Sequence, residues 1–333
     1  MELDPYQIFD KSISFEDKAL QIFSFQKEYN PVYNRFCKAL GITNPQSVKE
    51  IPLLPIQAFR EKKVVTVKKS CQLSADSYQL FLSSGTSGMQ RSKHIVVDPD
   101  LYIQSIFDGM WEFYDLHDYV IWAYTPGYNS NPNSSLVWML NALIEREESG
   151  LSKFLELNKA LNQNEIDEII SSGKKLMLFG AAFGLLDLVE ISDTKIPGDS
   201  IVMETGGMKT FKREMSKFEL HEKLANGFDL SKENIHSEYG MTELLSQAYS
   251  RGSEWFDCPS WMKFSIRNPE NPIEEVEIGE EGLIGVIDLA NFYSCSFILT
   301  GDKGIMNSKN QFQILGRWNP KNLRGCNFLI DRD

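Results

Sequence analysis

A chain of 333 residues, 42% hydrophobic and 12% aromatic, can bury a large core, which excludes a disordered or fibrous class and allows one elaborated domain or two modest ones. Its 34 basic and 46 acidic residues leave a net charge of −12 with no basic block, which argues against nucleic acid as a partner. The apolar stretches "LVWMLNALI" and "LMLFGAAFGLL" are too short to span a bilayer and the polar N-terminus "MELDPYQIFD" does not read as a signal peptide, so no transmembrane segment and a cytoplasmic location are expected.

No internal repeat, low-complexity tract or long Pro/Gly/Ser linker marks a sharp boundary. Residues 1–75 read as a mostly helical segment. There "FEDKALQIFSFQKEYNPVYNRFCKALG" carries apolar residues at helical spacing, and Pro52 and Pro55 of "IPLLPIQAF" break any helix. Residues 76–333 read as one compact unit with a different texture. "YQLFL", "YVIWAYT", "KLMLFG", "SIVMET", "GLIGVIDL" and "CSFILT" are short apolar runs suited to buried strands. Helix-like segments separate several of them, among them "FKREMSKFELHEKL", where Phe211, Met215 and Phe218 share one face. The alternation predicts an α/β fold of layered sheets and helices, with functional groups in the loops that follow strands. Five scattered cysteines, Cys37, Cys71, Cys258, Cys295 and Cys326, include no C-x-x-C pair and read as reduced thiols.

Directly after "YQLFL" comes "SSGTSG", Ser83, Ser84, Gly85, Thr86, Ser87 and Gly88, with two glycines and four hydroxyls. Glycine lets the backbone approach an anion, and main-chain N–H groups and hydroxyls supply donors, so a polyphosphate suits this loop as well as an ordinary Ser/Gly turn does. It is not a Walker A loop, because Gln90 and Arg91 stand where glycine and lysine are required. Further on, "YGMTE" offers an aromatic face at Tyr239, a glycine at Gly240, a hydroxyl at Thr242 and a carboxylate at Glu243, suited to a base, a phosphate and a metal. "LTGDKG" places Asp302 in a Gly-flanked turn where it can accept from neighbouring hydroxyls, as on ribose, and "LGR" brings Gly316 and Arg317. Each has a plain structural alternative: Tyr239 in the core, Asp302 capping its turn, Arg317 a surface cation. His94 and His236 are lone histidines, a type more often structural than catalytic.

Taken in order, "SSGTSG", "YGMTE", "TGD" and "GR" resemble the adenylate-forming superfamily of acyl-CoA ligases. The chain looks most like the acyl-protein synthetases of bacterial luminescence (Lux type), and more distantly like phenylacetate–CoA ligases. "IPLLPIQAF", "GGMK" at Gly206 to Lys209 and "LRGCN" near the end extend the likeness over nearly the whole chain. The resemblance implies the large-domain architecture of that superfamily and a cofactor set of ATP with Mg²⁺. It implies that Ser83 to Gly88 meets the β- and γ-phosphates, that Thr86 also reaches Mg²⁺, and that Gly206 and Gly207 lie beside the base on which Tyr239 stacks. Thr242 would contact the α-phosphate, Glu243 would coordinate Mg²⁺, Asp302 would bind ribose and Arg317 would contact ribose or phosphate. Cys326 in "LRGCN" matches the cysteine that becomes acylated in the luminescence synthetases, and Phe179 to Leu186 would line the acyl pocket.

Departures carry implications too. Met89, Gln90 and Arg91 replace the usual end of the phosphate loop, with Arg91 or Lys93 to supply its charge, and Asn319 stands at the hinge position. Sixteen residues follow Arg317, so the mobile C-terminal domain of the superfamily is expected to be absent. The expected function is ATP-dependent activation of a carboxylic acid, a fatty acid, as an acyl-adenylate. Transfer to a protein thiol such as one on a reductase or acyl carrier protein follows, with Cys326 as the first acceptor. The alternatives are an acyl-CoA or small-acceptor ligase, and a catalytically weak nucleotide- or acyl-binding subunit.

Overall fold

The structure, a computed structural model, describes residues 4–68, 74, 77–84, 90–127, 131–206 and 215–318. These fall into two compact units, one built from residues 1–106, 241–246 and 257–333, the other from 107–240 and 247–256. The chain opens in the first unit with α1 (Phe15–Tyr29), α2 (Pro31–Ala39), β1 (Leu54–Pro55), α3 (Ala58–Glu61), β2 (Gln79–Leu82) and β3 (Lys93–Val96), then runs along α4 (Pro99–Trp111). The second unit contains β4 (Tyr119–Tyr124), α5 (Ser135–Arg146), β5 (Lys153–Phe154), α6 (Gln163–Ser171), β6 (Lys175–Ala181), α7 (Ala182–Ile191), β7 (Ile201–Thr205), α8 (Lys217–Phe228), β8 (Ile235–Tyr239) and β9 (Ala248–Arg251). The chain ends in the first unit with β10 (Met262–Arg267), β11 (Gly282–Asp288), β12 (Phe297–Met306) and β13 (Phe312–Arg317).

In the second unit the strands take the order β5-β4-β6-β7-β8-β9. All neighbours are parallel except β8 and β9. Helices connect the parallel strands and cover the sheet, so its central strands are buried along most of their length, including all five residues of β7 and of β8 with their polar Glu204, Thr205, His236, Ser237 and Glu238. Trp122, Leu178, Leu185, Val202, Leu224 and Ile235 form part of its core. The apolar runs predicted as strands therefore are strands. The helix assigned to "FKREMSKFELHEKL" is α8, but its buried side is Leu220, His221, Leu224, Ala225 and Phe228. Phe218 is 57% exposed and lies under the Lys232 ammonium, while Met215 packs against the core, so the predicted shared face is packed at one residue and open at another; Phe211 lies outside the described residues. Gly180 and Gly184, in the stretch assigned to an acyl pocket, serve close packing. A Cβ at Gly180 would lie 2.5 Å from Tyr124 O, and one at Gly184 would lie 2.5 Å from the Pro126 ring.

In the first unit a mixed sheet runs β1-β12-β11-β10, with β13 also on β12. The long strand β12 pairs in parallel with β1 through Ile298 and Leu299, and antiparallel with β13 from Asp302 to Met306. The turn between β12 and β13 is closed by Asn307, whose side chain accepts from Lys309 N and Gln311 N, and Asn310 adopts φ 61°. The N-terminal helical pattern is broken into two helices at Asn30, whose side chain accepts from Val32 N and Tyr33 N at 3.1 Å ahead of Pro31. Separately, β2 and β3 form a hairpin with Leu82 opposite Lys93.

Candidate active site

That hairpin places the "SSGTSG" loop between two antiparallel strands. Its neck is closed twice: Ser83 N donates to Ser92 O at 3.1 Å, and Ser92 N donates to Ser83 Oγ at 2.9 Å. Gly85, Thr86, Ser87 and Gly88 lie outside the described residues, so the structure places only the loop's entry, Ser83 and Ser84, and its exit from Gln90 onward.

Thr242 and Glu243 follow β8 and belong to the first unit. Glu243 is 5% exposed. Burial pushes its carboxyl above the usual glutamate range, opposed by a hydrogen bond from Ser92 and by the positive charges of Arg60 and Arg317. Thus the hydroxyl of Ser92, whose backbone closes the loop's exit, and two arginines far apart in sequence all act on one carboxylate. Asp302 and Arg317 are cross-strand partners of β12 and β13. Arg317 Nε lies 3.1 Å from Asp302 Oδ1, and Trp318 N donates to Gly301 O at 2.9 Å. Gly316 adopts φ 115°, a backbone conformation open to glycine. Two motifs separated by a whole hairpin therefore meet as one pair, and Arg317 joins Asp302 to Glu243 electrostatically.

Gly206, Tyr239 and Gly240 belong to the second unit. Gly206, at the end of β7, has φ 86°, while Gly207 lies outside the described residues. Tyr239 is buried at the end of β8, edge-on to Phe256 with ring centroids 6.2 Å apart. Gly240 leaves room for its neighbour: a Cβ there would lie 2.3 Å from Glu238 Oε1 and would push that carboxyl group aside.

Sequence reading passed over Glu238, Glu204, Thr205, Lys217, Arg60 and Ser92, although an acidic residue inside a buried strand, as in "HSEY", was an available signal. Glu238 accepts a hydrogen bond from Thr205 Oγ1 across the parallel strands. Burial pushes its carboxyl from 4.5 up to about 7, with nearby Glu204 adding to the rise and Thr205 opposing it. Lys217 Nζ is buried over the Phe256 ring at 4.1 Å with no hydrogen-bond partner, and burial pulls it down to about 8. Between pH 4.5 and about 7 the folded chain keeps a proton on Glu238 that the unfolded chain has released, so this group makes stability fall as pH rises through that window. Substituting Glu238→Gln removes that slope. Thermal melts at pH 5 and pH 8 should show the variant gaining on the parent at pH 8, by on the order of 3 kcal/mol at most; equal slopes for the two proteins would contradict the assignment.

The lone histidines are structural in bonding. His94 and His236 are buried and pulled down to about 4 by that burial. His236 bonds to Tyr114 Oη and Glu233 O, both at 3.0 Å. Cys37, Cys258 and Cys295 are free thiols, while Cys71 and Cys326 lie outside the described residues. Among the described residues no three His, Cys, Asp or Glu side chains cluster as a metal site, and no helix is long and apolar enough to cross a membrane.

The family described as "Acyl-protein synthetase, LuxE" matches residues 139–333. The "Long-chain-fatty-acid--luciferin-component ligase" of Aliivibrio fischeri is 23% identical over 344 residues, covering 96% of this chain and 88% of that protein. Among solved structures, an open conformation of 2-hydroxyisobutyryl-CoA ligase in complex with 2-HIB-AMP and CoA aligns with a TM-score of 0.63 at 13% identity. The alignment covers 90% of this chain and 68% of that one. ATP-bound MatB from Rhodopseudomonas palustris aligns with a TM-score of 0.50 at 14% identity over 74% of this chain, which spans 49% of MatB. These likenesses identify the fold as that of the adenylate-forming ligases.

Proposed function

The chain belongs to the acyl-protein synthetase, LuxE family and is a ligase that activates an acid and hands on its acyl group; from that premise we propose that it makes an acyl-adenylate from ATP and a fatty acid, then passes the acyl group to a protein thiol. The observation that carries this reading is the meeting of Glu243, Asp302 and Arg317 within one unit: Asp302 and Arg317 paired across two strands, and Glu243 buried where the Arg317 charge acts on it. A carboxylate attacking an α-phosphate needs cations and donors to offset charge, and reacting groups held in line.

The residues fit their expected ligands. Asp302 offers an acceptor for vicinal ribose hydroxyls, held in place by Arg317. Ser83 and Ser84 lead into a loop rich in donors for the β- and γ-phosphates, with Thr86 in it, and Thr242 faces the task of the α-phosphate. Tyr239 supplies a ring for the base, flanked in the motifs by Gly206, Gly207 and Gly240. Magnesium binds in such sites through one or two carboxylates together with substrate phosphates, and Glu243, with Thr86, is the donor set this chain provides; bound there, the ion would neutralise phosphate charge. The fatty-acid substrate is supported by the named substrate of the Aliivibrio relative, and the protein acceptor by the family's description. In the second step the Cys326 thiolate attacks the acyl carbonyl, the carbon–oxygen bond to AMP breaks, and AMP leaves with the electron pair. The acyl group then stands as a thioester ready for a partner such as a reductase or acyl carrier protein.

Carboxylate-dependent ATP–pyrophosphate exchange tests the first step. Incubation with Mg²⁺ and a panel of short, long, hydroxylated and aromatic acids should give exchange with long-chain acids. No exchange with any acid, in folded protein that binds ATP, would instead favour a nucleotide-binding subunit.

A further inference from the structure

The motif that carries Thr242 and Glu243 is gripped by its main chain. Thr242 O lies 2.8 Å from His94 Nδ1. A carbonyl only accepts, so Nδ1 carries the hydrogen and the ring's other nitrogen, Nε2, is free to accept from Ser294 Oγ at 3.0 Å. Ser294 is fixed in turn, its carbonyl accepting from Asn30 Nδ2 at 2.8 Å and from Thr66 Oγ1. The ring of His94 is fully buried and edge-on to Phe59, which keeps it neutral. One residue further along the motif, Glu243 O accepts from Asn291 Nδ2 at 2.9 Å. Leu245 N and Ser246 N then donate to Asp288 Oδ2 at 2.8 and 3.0 Å, and Ser246 Oγ donates to Asp288 Oδ1 at 2.6 Å. Asp288, the last residue of β11, and Asn291 and Ser294 on the turn that follows it stand three residues apart, and all are buried.

We propose that His94 and Asn291 are positioning residues: by fixing the carbonyls of Thr242 and Glu243 they set the direction in which the hydroxyl and the carboxylate are presented to the metal–nucleotide site. This rests on the acyl-adenylate reading of that site. Asn291 separates positioning from mere stabilisation. Its Oδ1 is fully buried with no hydrogen-bond partner; an apolar side chain of similar shape would remove that penalty and set it against the donor that Glu243 O would lose. The amide's side-chain donation goes to Glu243 O, the backbone of the residue assigned to the metal. The rigidity this provides is the kind a site of developing charge requires, since donors and ligands already in place need not reorganise during reaction.

The test compares the parent with Asn291→Leu, His94→Phe and His94→Asn, with Glu243→Gln as the control on the site itself. Pyrophosphate exchange is titrated with Mg²⁺, MgATP binding is measured by calorimetry, and melting is followed in parallel. Asn291→Leu and His94→Phe should raise the Mg²⁺ concentration for half-activation at least tenfold and lower kcat at saturating MgATP. Asn291→Leu sheds the unpaired oxygen but leaves Glu243 O without its donor, two effects that oppose each other, so its melting temperature should stay close to the parent's while Mg²⁺ dependence and kcat change. His94→Asn, which keeps a donor near the Nδ1 position, should recover most of the loss. Parental Mg²⁺ dependence and kcat in Asn291→Leu and His94→Phe, with Glu243→Gln inactive, would overturn the positioning role and leave the site's reading intact; so would losses that follow melting temperature across all three variants. A parent protein that neither exchanges pyrophosphate nor binds MgATP, or one indistinguishable from Glu243→Gln, would overturn both.

Discussion

Replacing Glu243 with glutamine should lower carboxylate-dependent ATP–pyrophosphate exchange at least a hundredfold, about 2.7 kcal/mol of transition-state stabilisation, without lowering the melting temperature. Glutamine keeps the size of the side chain and can still accept from Ser92, so packing at this buried position survives. What disappears is the anion. Burial already holds this carboxyl above the ordinary glutamate range, opposed by Ser92, Arg60 and Arg317; a neutral amide escapes that penalty, so folding gains or is unchanged while the metal loses its ligand. In the metal-free protein the carboxylate is lost on acidification at a higher pH than an ordinary glutamate would lose it, so at subsaturating Mg²⁺ the acid limb of exchange should be displaced upward. A variant with near-parental exchange, or one that loses exchange only in step with unfolding, would remove Glu243 from the metal site.

Substituting Cys326→Ser should leave pyrophosphate exchange near the parental rate and abolish covalent labelling of the protein by a radiolabelled fatty acid in the presence of ATP. The argument is partly one of exclusion among thiols. Transfer needs a thiolate, and burial pushes the Cys37 thiol up to about 12 and that of Cys295 up further. Cys258 is half-buried and donates to Met262 O at 3.1 Å. Cys37 and Cys295 are poor acceptors, which leaves Cys71, Cys258 and Cys326, of which Cys326 is the acceptor proposed above from its "LRGCN" segment. The label should be released by hydroxylamine, as a thioester is. Hydroxylamine-sensitive label retained by the Cys326→Ser protein but lost from Cys71→Ser would move the acceptor to Cys71; label resistant to hydroxylamine in the parent would rule out a thioester.

The parts of this molecule that sequence exposes are those governed by near neighbours. Runs such as "KLMLFG" and "SIVMET" announce β6 and β7 because a parallel strand covered on both faces has no polar side to show. The break between α1 and α2 could be read from Asn30-Pro31, a cap followed by a first-turn proline. Amphipathicity misled in part at α8: Met215 does pack against the core, but Phe218, at the same apolar spacing, is turned to solvent, because the covering surface is set by tertiary structure. For the site, "YGMTE", "TGD" and "GR" were legible as separate motifs. Their assembly was not, because Asp302 meets Arg317 through a hairpin register and Glu243 meets Ser92 and Arg60 through contacts more than a hundred residues long in sequence. His94 and Asn291 were harder still: they act on carbonyls, and a backbone acceptor leaves no mark on the identity of the residue that owns it.

The Asp302–Arg317 pair also constrains a stretch of chain that touches neither residue. Side chains on a strand alternate sides, so sliding β13 by one position would turn Arg317 to the opposite surface from Asp302. That alignment is set jointly by the Asn307–Asn310 turn, where Lys309 and Asn310 are open to solvent, and by one extra residue, Leu315, that β13 carries between the turn and the pair. In that stretch the exposed Ser308 and Lys309 are free to change, whereas Asn307 and Asn310 are tied to the turn's geometry; across descendants of this sequence the spelling can drift in the middle of the word while its ends and its length are kept.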